Sequence, residues 1–252
     1  MQRREFLSTT GTVVAMGAVD RWVGPILPTG IRAVAFDGFA IFDATAIVPT
    51  ADSLVPGRWR ELLTAWRSRH FEYQWLRTLG GQYADFQRTA SDALAVAAKE
   101  LGLALTAATR QRLVDAQADL RPWNDTIAAV RELPASGLRL ALLSNMTERM
   151  LDAGARRAGF RDQFERILST DSVKAAKPDP RAYQMALDAF GLPRDQIAFV
   201  AFAGWDAAGA GWFGYPTVWM NRASAPAEEL GRAPMSTTRD LTSIVDIVTT
   251  VK

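Results

Sequence analysis

Short apolar segments alternate with helical segments along most of this 252-residue chain, and no other feature of the sequence restricts the fold as strongly. Strands are predicted over residues 32–36, 138–143, 166–169, 197–201 and 217–220. Helices are predicted over residues 123–133, 147–158, 180–190, 207–212 and 241–249, and loops over 134–137 and 223–238. Because strands that are separated by helices form parallel sheets with right-handed crossovers, the sequence predicts a doubly wound parallel α/β fold.

A long helical region follows the first predicted strand, where a doubly wound domain would normally continue with one helix and another strand. Three amphipathic helices are predicted there: between Gly57 and Gly80, over 83–101 and over 106–120. We therefore expect an inserted helical cap at residues 45–120. The α/β core would then consist of residues 31–44 and 121–252.

The first strand ends in an acid, Asp37, which Gly38 follows directly. Ligands of open α/β sheets bind in the crevice at the carboxyl ends of the strands, so Asp37 is placed to meet a ligand. An alternative is that Asp37 only caps the turn that follows it. The position of this residue alone does not separate the two interpretations.

Three later loops also carry polar residues, namely Ser144-Asn145, Lys177-Pro178 and Asp206. Together with Asp37 they resemble the motif set of the haloacid dehalogenase superfamily, and within it the type II (S)-2-haloacid dehalogenases. The segments that indicate this subfamily are Trp66-Arg67, 71–77, 177–183 and 205–210. The resemblance extends over nearly all of the chain after Ile31, and it implies a HAD-like core with an inserted helical cap.

The resemblance implies a hydrolase that removes halide from short 2-haloalkanoic acids without a metal ion or another cofactor. Asp37 would attack the carbon that bears the halogen, and water would then open the aspartyl ester. Phosphatases of the superfamily carry a second Asp two positions later, which helps to hold magnesium. Phe39 stands at that position here, which disfavours a magnesium-dependent phosphatase.

The resemblance implies catalytic roles for three more charged residues. Arg67 would meet the departing halide and the charged end of the substrate, and the alternative is a surface arginine. Lys177 would favour the ionised form of Asp37 and offset the charge of an incoming carboxylate. Asp206 would activate water or pair with Lys177. His70, the single histidine, has no counterpart in the family and is expected to be structural or exposed.

Other positions that match the family are expected to contact the substrate, and they are Phe39, Ser144, Asn145, Phe86, Tyr183 and Trp205. The aromatic residues would line the pocket and Ser144 would help to hold the substrate carboxylate. For Phe86 the alternative is an ordinary core position. For Ser144 it is a cap of the next helix.

The sequence also departs from the family pattern. The loop after Asp37 is one residue shorter than usual and lacks a threonine, and Ala201 and Ala203 replace a serine and an asparagine. The missing side chains would orient the nucleophile and the hydrolytic water. A second hypothesis is therefore a catalytically impaired, exported relative that binds small carboxylates.

Composition limits the partners of the chain. The net charge of +2 and the absence of a basic patch argue against nucleic-acid binding. Without cysteine there is no disulfide and no thiol nucleophile. The expected partner is a small haloacid, and dimerisation through the cap is usual in the family, so a homodimer is possible.

The amino terminus resembles a twin-arginine export signal. Arg3-Arg4 and Phe6-Leu7 precede a modestly apolar segment, residues 9–19, that is too short to span a bilayer. The alternative is a chance basic start. We expect residues 1–30 to be a signal segment that directs the protein to the periplasm without stable membrane anchoring. If the basic start is there by chance, the expected location is the cytoplasm.

Overall fold

The structure is a computed structural model that describes residues 30–249. Its sheet has six parallel strands in the order β3-β2-β1-β4-β5-β6. The strands are β1 (Ala33–Phe36), β2 (Arg139–Ser144), β3 (Arg166–Ser169), β4 (Ile197–Ala201), β5 (Thr217–Met220) and β6 (Ser236–Thr238). This architecture confirms the predicted doubly wound parallel fold.

Ten α-helices accompany the sheet within the described residues. They are α1 (Gly38–Ile41), α2 (Val48–Leu54), α3 (Trp59–Leu79), α4 (Phe86–Glu100), α5 (Ala107–Ala118), α6 (Thr126–Ala135), α7 (Glu148–Arg157), α8 (Pro180–Phe190), α9 (Gly204–Phe213) and α10 (Thr242–Thr249). Single-turn 3-10 helices occupy 161–163, 170–172 and 194–196. None of the helices within residues 30–249 is both long and apolar enough to cross a membrane.

The sheet is buried on both faces, as its continuous apolar strands require. Val34 and Phe36 pack into one hydrophobic cluster, and the alternate residues Ala33 and Ala35 pack into a second cluster on the opposite face. Helices α2 to α5 share a third cluster of their own, with Trp66 among its members. The helical insertion therefore has a core that is separate from the two faces of the sheet.

Several element boundaries differ from the sequence predictions. Helix α9 begins at Gly204 rather than at residue 207, so Trp205 and Asp206 lie in its first turn instead of in a loop. Pro134 lies inside α6, where a turn was predicted. Helices α1 and α2 had not been anticipated. The predicted loop 223–238 ends in strand β6, because this short polar segment pairs with the free edge of β5.

The chain order brings the carboxyl ends of β1, β2 and β4 together, since these three strands are neighbours in the sheet. Asp37 and the loop before α9 directly follow β1 and β4, and Ser144 is the last residue of β2. The segment predicted as an export signal lies, except for Gly30, outside the described residues.

Candidate active site

Asp37 has two kinds of contact at the carboxyl end of β1. Its Oδ2 accepts a hydrogen bond of 3.0 Å from the backbone N–H of Phe39, so the side chain caps the short helix α1. Its Oδ1 accepts a hydrogen bond of 2.7 Å from the Lys177 ammonium. The carboxylate also lines a cavity. Asp37 therefore caps a turn, as the alternative interpretation held, and also faces a site.

Lys177 lies between two carboxylates. Its Nζ is 2.7 Å from Asp37 Oδ1 and 2.7 Å from Asp206 Oδ2, and the lysine side chain is 1% exposed. Burial acts to lower the pKa of Lys177, but the attraction of Asp206 and Asp37 outweighs it and raises that pKa. The ammonium therefore stays charged and holds both acids in fixed positions.

Asp206 is buried behind Lys177, and Tyr183 supplies its second contact. The Tyr183 hydroxyl donates a hydrogen bond of 2.7 Å to Asp206 Oδ1. Burial raises the pKa of Asp206 to about 6, although the charge of Lys177 acts in the opposite direction. Burial also raises the pKa of Tyr183, which keeps its hydroxyl protonated as a donor.

Gly209 in α9 makes this contact between Tyr183 and Asp206 possible. A Cβ built on Gly209 would lie 2.7 Å from the Tyr183 hydroxyl and 2.7 Å from Pro178 Cβ. Gly38 has a similar place beside the nucleophile, because a Cβ there would come within 2.8 Å of Ser144 Oγ. Each glycine thus permits a close approach between two elements that form the site, α9 with α8 at Gly209 and α1 with the end of β2 at Gly38.

A cavity of about 30 Å³ connects these groups to aromatic side chains. Its lining includes six of the predicted residues besides Asp37 and Lys177, namely Phe39, Phe86, Ser144, Asn145, Trp205 and Asp206. Phe71 and Phe202 complete the aromatic part, with Phe71 5.3 Å from the Trp205 ring. A larger cavity of about 280 Å³ lies beside the loop after β5 and is lined by none of the predicted residues. The small cavity is therefore the candidate active site.

Ser144 does not cap the next helix, because Thr147 does so by accepting from the backbone N–H of Met150. Ser144 Oγ instead accepts a hydrogen bond of 3.2 Å from Met146 N and remains part of the cavity lining. The Asn145 side chain accepts a hydrogen bond of 2.9 Å from the backbone N–H of Lys177. These two residues therefore contribute the uncharged polar part of the cavity lining.

The structure does not bring two predicted residues into the cavity lining. Tyr183 is fully buried and contacts Asp206 from behind, so it supports an acid rather than a substrate. Arg67 is exposed on α3, because burial of Trp66 turns the next residue of the helix toward solvent. It lies one helical turn before Phe71 on the same stripe of α3. The contact of Arg67 with a halide stays a prediction.

Several residues of α3 that were not predicted as site residues contact the core. Gln74 accepts a hydrogen bond of 2.7 Å from Asn145, and Trp75 donates one of 3.2 Å to the backbone carbonyl of Lys177. His70 is buried next to Gln74, which fits the structural alternative stated for it. A signal was present in the sequence, because Trp66, His70 and Gln74 follow each other at four-residue intervals and so share one helix face.

Of the two alanines that depart from the family pattern, one lines the cavity and the other lies in the strand before it. Ala203 lines the cavity and is the N-cap of α9, without a side chain that can accept a hydrogen bond there. Ala201 is the last residue of β4 and is fully buried. The described part of the chain contains no group of three or more His, Cys, Asp or Glu side chains suited to a metal ion.

The amino-acid sequence is similar to those of known dehalogenases. A family model described as haloacid dehalogenase-like hydrolase matches residues 13–214. The chain is 42% identical over 221 residues to the (S)-2-haloacid dehalogenase of Pseudomonas sp. (strain YL). The aligned region covers 87% of this chain and 95% of that relative. The chain is 34% identical over 219 residues to haloacetate dehalogenase H-2 of Moraxella sp. (strain B), covering 86% and 98% of the two chains.

The fold of this chain is also similar to those of solved L-2-haloacid dehalogenase structures. A crystal structure of an L-2-haloacid dehalogenase superposes with a TM-score of 0.84 at 36% identity, covering 87% of this chain and 99% of the other. The L-2-haloacid dehalogenase from Xanthobacter autotrophicus with chloropropionic acid covalently bound has a TM-score of 0.80 at 29% identity, covering 86% and 98%.

Proposed function

Because this chain belongs to the haloacid dehalogenase-like hydrolases, we propose that it removes halide from short 2-haloalkanoic acids through an ester on Asp37 and without a metal ion. One observation carries the proposal: a single buried ammonium, Lys177, fixes Asp37 at the cavity and Asp206 behind it. The relatives named for 2-haloacids and haloacetate support this substrate class.

In the first step, a carboxylate oxygen of Asp37 forms a bond to C2 of the substrate, and the halide leaves with the electron pair of the broken bond. Lys177 orients the nucleophile and offsets the charge of the substrate carboxylate, which would otherwise be repelled by Asp37. Ser144 and Asn145 offer polar contacts to that carboxylate. The aromatic wall accommodates the apolar part of the substrate and limits access of water.

In the second step, water attacks the carbonyl carbon of the Asp37 ester, and the bond from that carbon to the substrate oxygen breaks. One proton of the water ends on that oxygen, which completes the 2-hydroxy acid, and the other proton passes to a base. Asp206 is proposed as this base, because burial gives it a pKa of about 6 and Lys177 connects it to Asp37. The proton then leaves to solvent, and Asp37 is regenerated as a carboxylate. Arg67 is proposed to reach the halide from the cap, one helical turn before Phe71.

Halide release from bromoacetate and 2-chloropropionate tests the proposal directly. The expected result is repeated halide release by the natural chain and none above background by Asp37→Asn, because an amide oxygen is a poor nucleophile. Asp52→Asn is a matched control, since Asp52 is exposed on α2. Absence of halide release from every haloacid tried, with a folded protein, would refute the proposal.

A second candidate function is binding of small carboxylates with little or no turnover. Ala201 and Ala203 favour it, because the side chains that orient the hydrolytic water in the family are missing there. This candidate predicts one equivalent of halide per chain and a stable adduct on Asp37 by mass spectrometry. Repeated turnover without an accumulating adduct would exclude it.

A further inference from the structure

Three buried polar side chains form a chain of hydrogen bonds from the helical cap to the lysine loop. His70 and Gln74 lie on α3, and Asn145 follows β2 in the core. His70 Nε2 is 2.8 Å from Gln74 Nε2, and Asn145 Nδ2 is 2.7 Å from Gln74 Oε1. The chain ends where Asn145 Oδ1 accepts from the backbone N–H of Lys177 at 2.9 Å.

The direction of every bond follows from the end at Lys177. A backbone N–H only donates, so Asn145 must turn its oxygen toward Lys177 and its NH₂ group toward Gln74. Gln74 then accepts with Oε1 and donates with Nε2 to His70. Donation by Gln74 requires a His70 Nε2 atom without hydrogen, which places the ring proton on Nδ1.

Two more oxygens lie 3.1 Å from His70 Nε2, the Thr89 hydroxyl and the Phe86 carbonyl. The hydroxyl can donate to Nε2, whereas the carbonyl only accepts and favours a hydrogen on Nε2, so the tautomer depends on whether donation by Gln74 prevails. The Phe86 ring packs against the imidazole with its centroid 4.4 Å away. Burial lowers the pKa of His70 to about 4, so the ring is neutral at pH 7.

We propose that Gln74 is a positioning residue, which fixes the Asn145 amide and thereby the backbone of Lys177. Two further bonds from α3 reach the same loop. Trp75 donates to the Lys177 carbonyl at 3.2 Å, and the Thr78 hydroxyl accepts from Ala176 N at 3.0 Å. The cap helix thus holds the peptide groups on both sides of Lys177, and Gln74 acts through Asn145.

Loss of the Gln74 amide has a defined consequence for Asn145. The Asn145 NH₂ group would be buried without a partner, and it would turn in search of one. Its oxygen would then release Lys177 N, and the ammonium would lose its fixed distance to Asp37 and Asp206. Since this affects orientation of the nucleophile rather than contacts with substrate, kcat should fall more than KM changes.

Kinetics with bromoacetate tests this inference, which rests on the proposed function. We expect Gln74→Leu to lower kcat about tenfold with KM nearly unchanged. Gln74→Glu keeps an acceptor for Asn145 and should recover most of the loss. Gln111→Leu is the matched control, because Gln111 is exposed on α5 and pairs with Asp115. Equal kcat values for Gln74→Leu and Gln111→Leu would overturn the inference.

A second measurement does not depend on catalysis. His70 is the single histidine, so nitrogen-15 NMR of the untagged chain reports its tautomer without overlap. We expect the Nδ1–H tautomer in the natural chain. In Asn145→Ala, Gln74 can rotate and accept from His70, so the Nε2–H tautomer should appear, although no direct contact between residues 145 and 70 is removed.

The two measurements separate the inference from the proposed function. If the natural protein releases no halide, the proposed function fails. The NMR result still decides the direction of the hydrogen bonds between His70, Gln74 and Asn145. An Nε2–H tautomer in the natural chain, or an unchanged tautomer in Asn145→Ala, would overturn the role of Gln74 whatever the activity.

Discussion

The Lys177 ammonium lies 2.7 Å from a carboxylate oxygen of Asp37, and the lysine side chain has almost no contact with solvent. A second acid, Asp206, shares the same ammonium. A buried ion pair adds little net stability, because desolvation opposes the Coulomb attraction, but loss of one partner leaves an uncompensated charge. This relationship determines what substitutions in the site should do.

Lys177→Met should destabilise the protein as well as inactivate it. The substitution leaves Asp37 and Asp206 facing each other without a cation, and breaking a buried pair of this kind costs about 3–5 kcal/mol. Urea unfolding at pH 7 measures the loss in the free energy of unfolding. Lys99→Met is the control, because Lys99 is exposed near the end of α4 and should change stability by less than about 0.5 kcal/mol. Equal stability of the two variants would contradict the described ion pair.

Tyr183→Phe should shift the acidic limb of the pH–rate profile upward. Asp206 accepts from Lys177 and Tyr183 as a carboxylate, so kcat should fall as the pH drops below the Asp206 pKa of about 6. The Tyr183 hydrogen bond favours the charged form of Asp206, so its loss should raise that pKa.

The measurement is kcat for halide release between pH 4.5 and pH 9, a range chosen to bracket the limb. Tyr73→Phe is a matched change, because Tyr73 is on α3 and does not line the cavity. If the acidic limb of the pH–rate profile lies at the same pH in the natural chain and in Tyr183→Phe, Asp206 does not control the rate.

Ala203→Asn should accelerate the opening of the ester. Residue 203 lines the cavity and precedes α9, so an asparagine there can contact water near Asp37 and also accept from the first turn of the helix. We expect steady-state halide release to rise about tenfold if hydrolysis limits the rate. Ala203→Gly separates the effects, because glycine is an acceptable N-cap but has no amide. A similar gain in both variants would assign the effect to the helix rather than to water.

His70→Gln should make the protein less sensitive to acid. Burial lowers the pKa of His70 from 6.5 to about 4, so between these pH values the unfolded chain binds a proton that the folded chain does not. The free energy of unfolding must therefore decrease as the pH falls from 6.5 to 4, by up to about 3 kcal/mol from this group. The substitution removes that part of the decrease.

Urea unfolding at pH 7 and pH 4.5 measures the difference, and no other histidine complicates it. The stability of His70→Gln should approach that of the natural chain as the pH decreases. A constant difference between the two proteins over this range would show that His70 titrates normally in the folded state.

The core elements were predictable because each carries its own signal. Continuous apolar runs ending in Asp37 and near Asp206 predicted buried strands, and the predicted bounds of β3, β4, β5 and α8 agree with the structure. Strand β6 had no such signal. It has three polar residues, and only the unpaired edge of β5, which is formed by distant parts of the chain, makes it a strand.

The cap residues of the site were harder to predict for a different reason. The four-residue spacing of His70 and Gln74 indicated a shared face, but only the docking of α3 on the core shows that Asn145 lies opposite. Arg67 was assigned by resemblance, and the side-chain direction depends on how α3 is rotated, which Trp66 fixes by donating a hydrogen bond of 2.7 Å to Ala90 O.

The space left by Gly209 also restricts how this chain can diverge. Tyr183 and Pro178 both lie where the side chain of any larger residue at position 209 would begin. Position 209 therefore cannot change independently of its neighbours, because an alanine at 209 would require both a smaller residue at 183 and a shift of Pro178. Among distant descendants of this sequence, a glycine at 209 should be inherited together with the tyrosine.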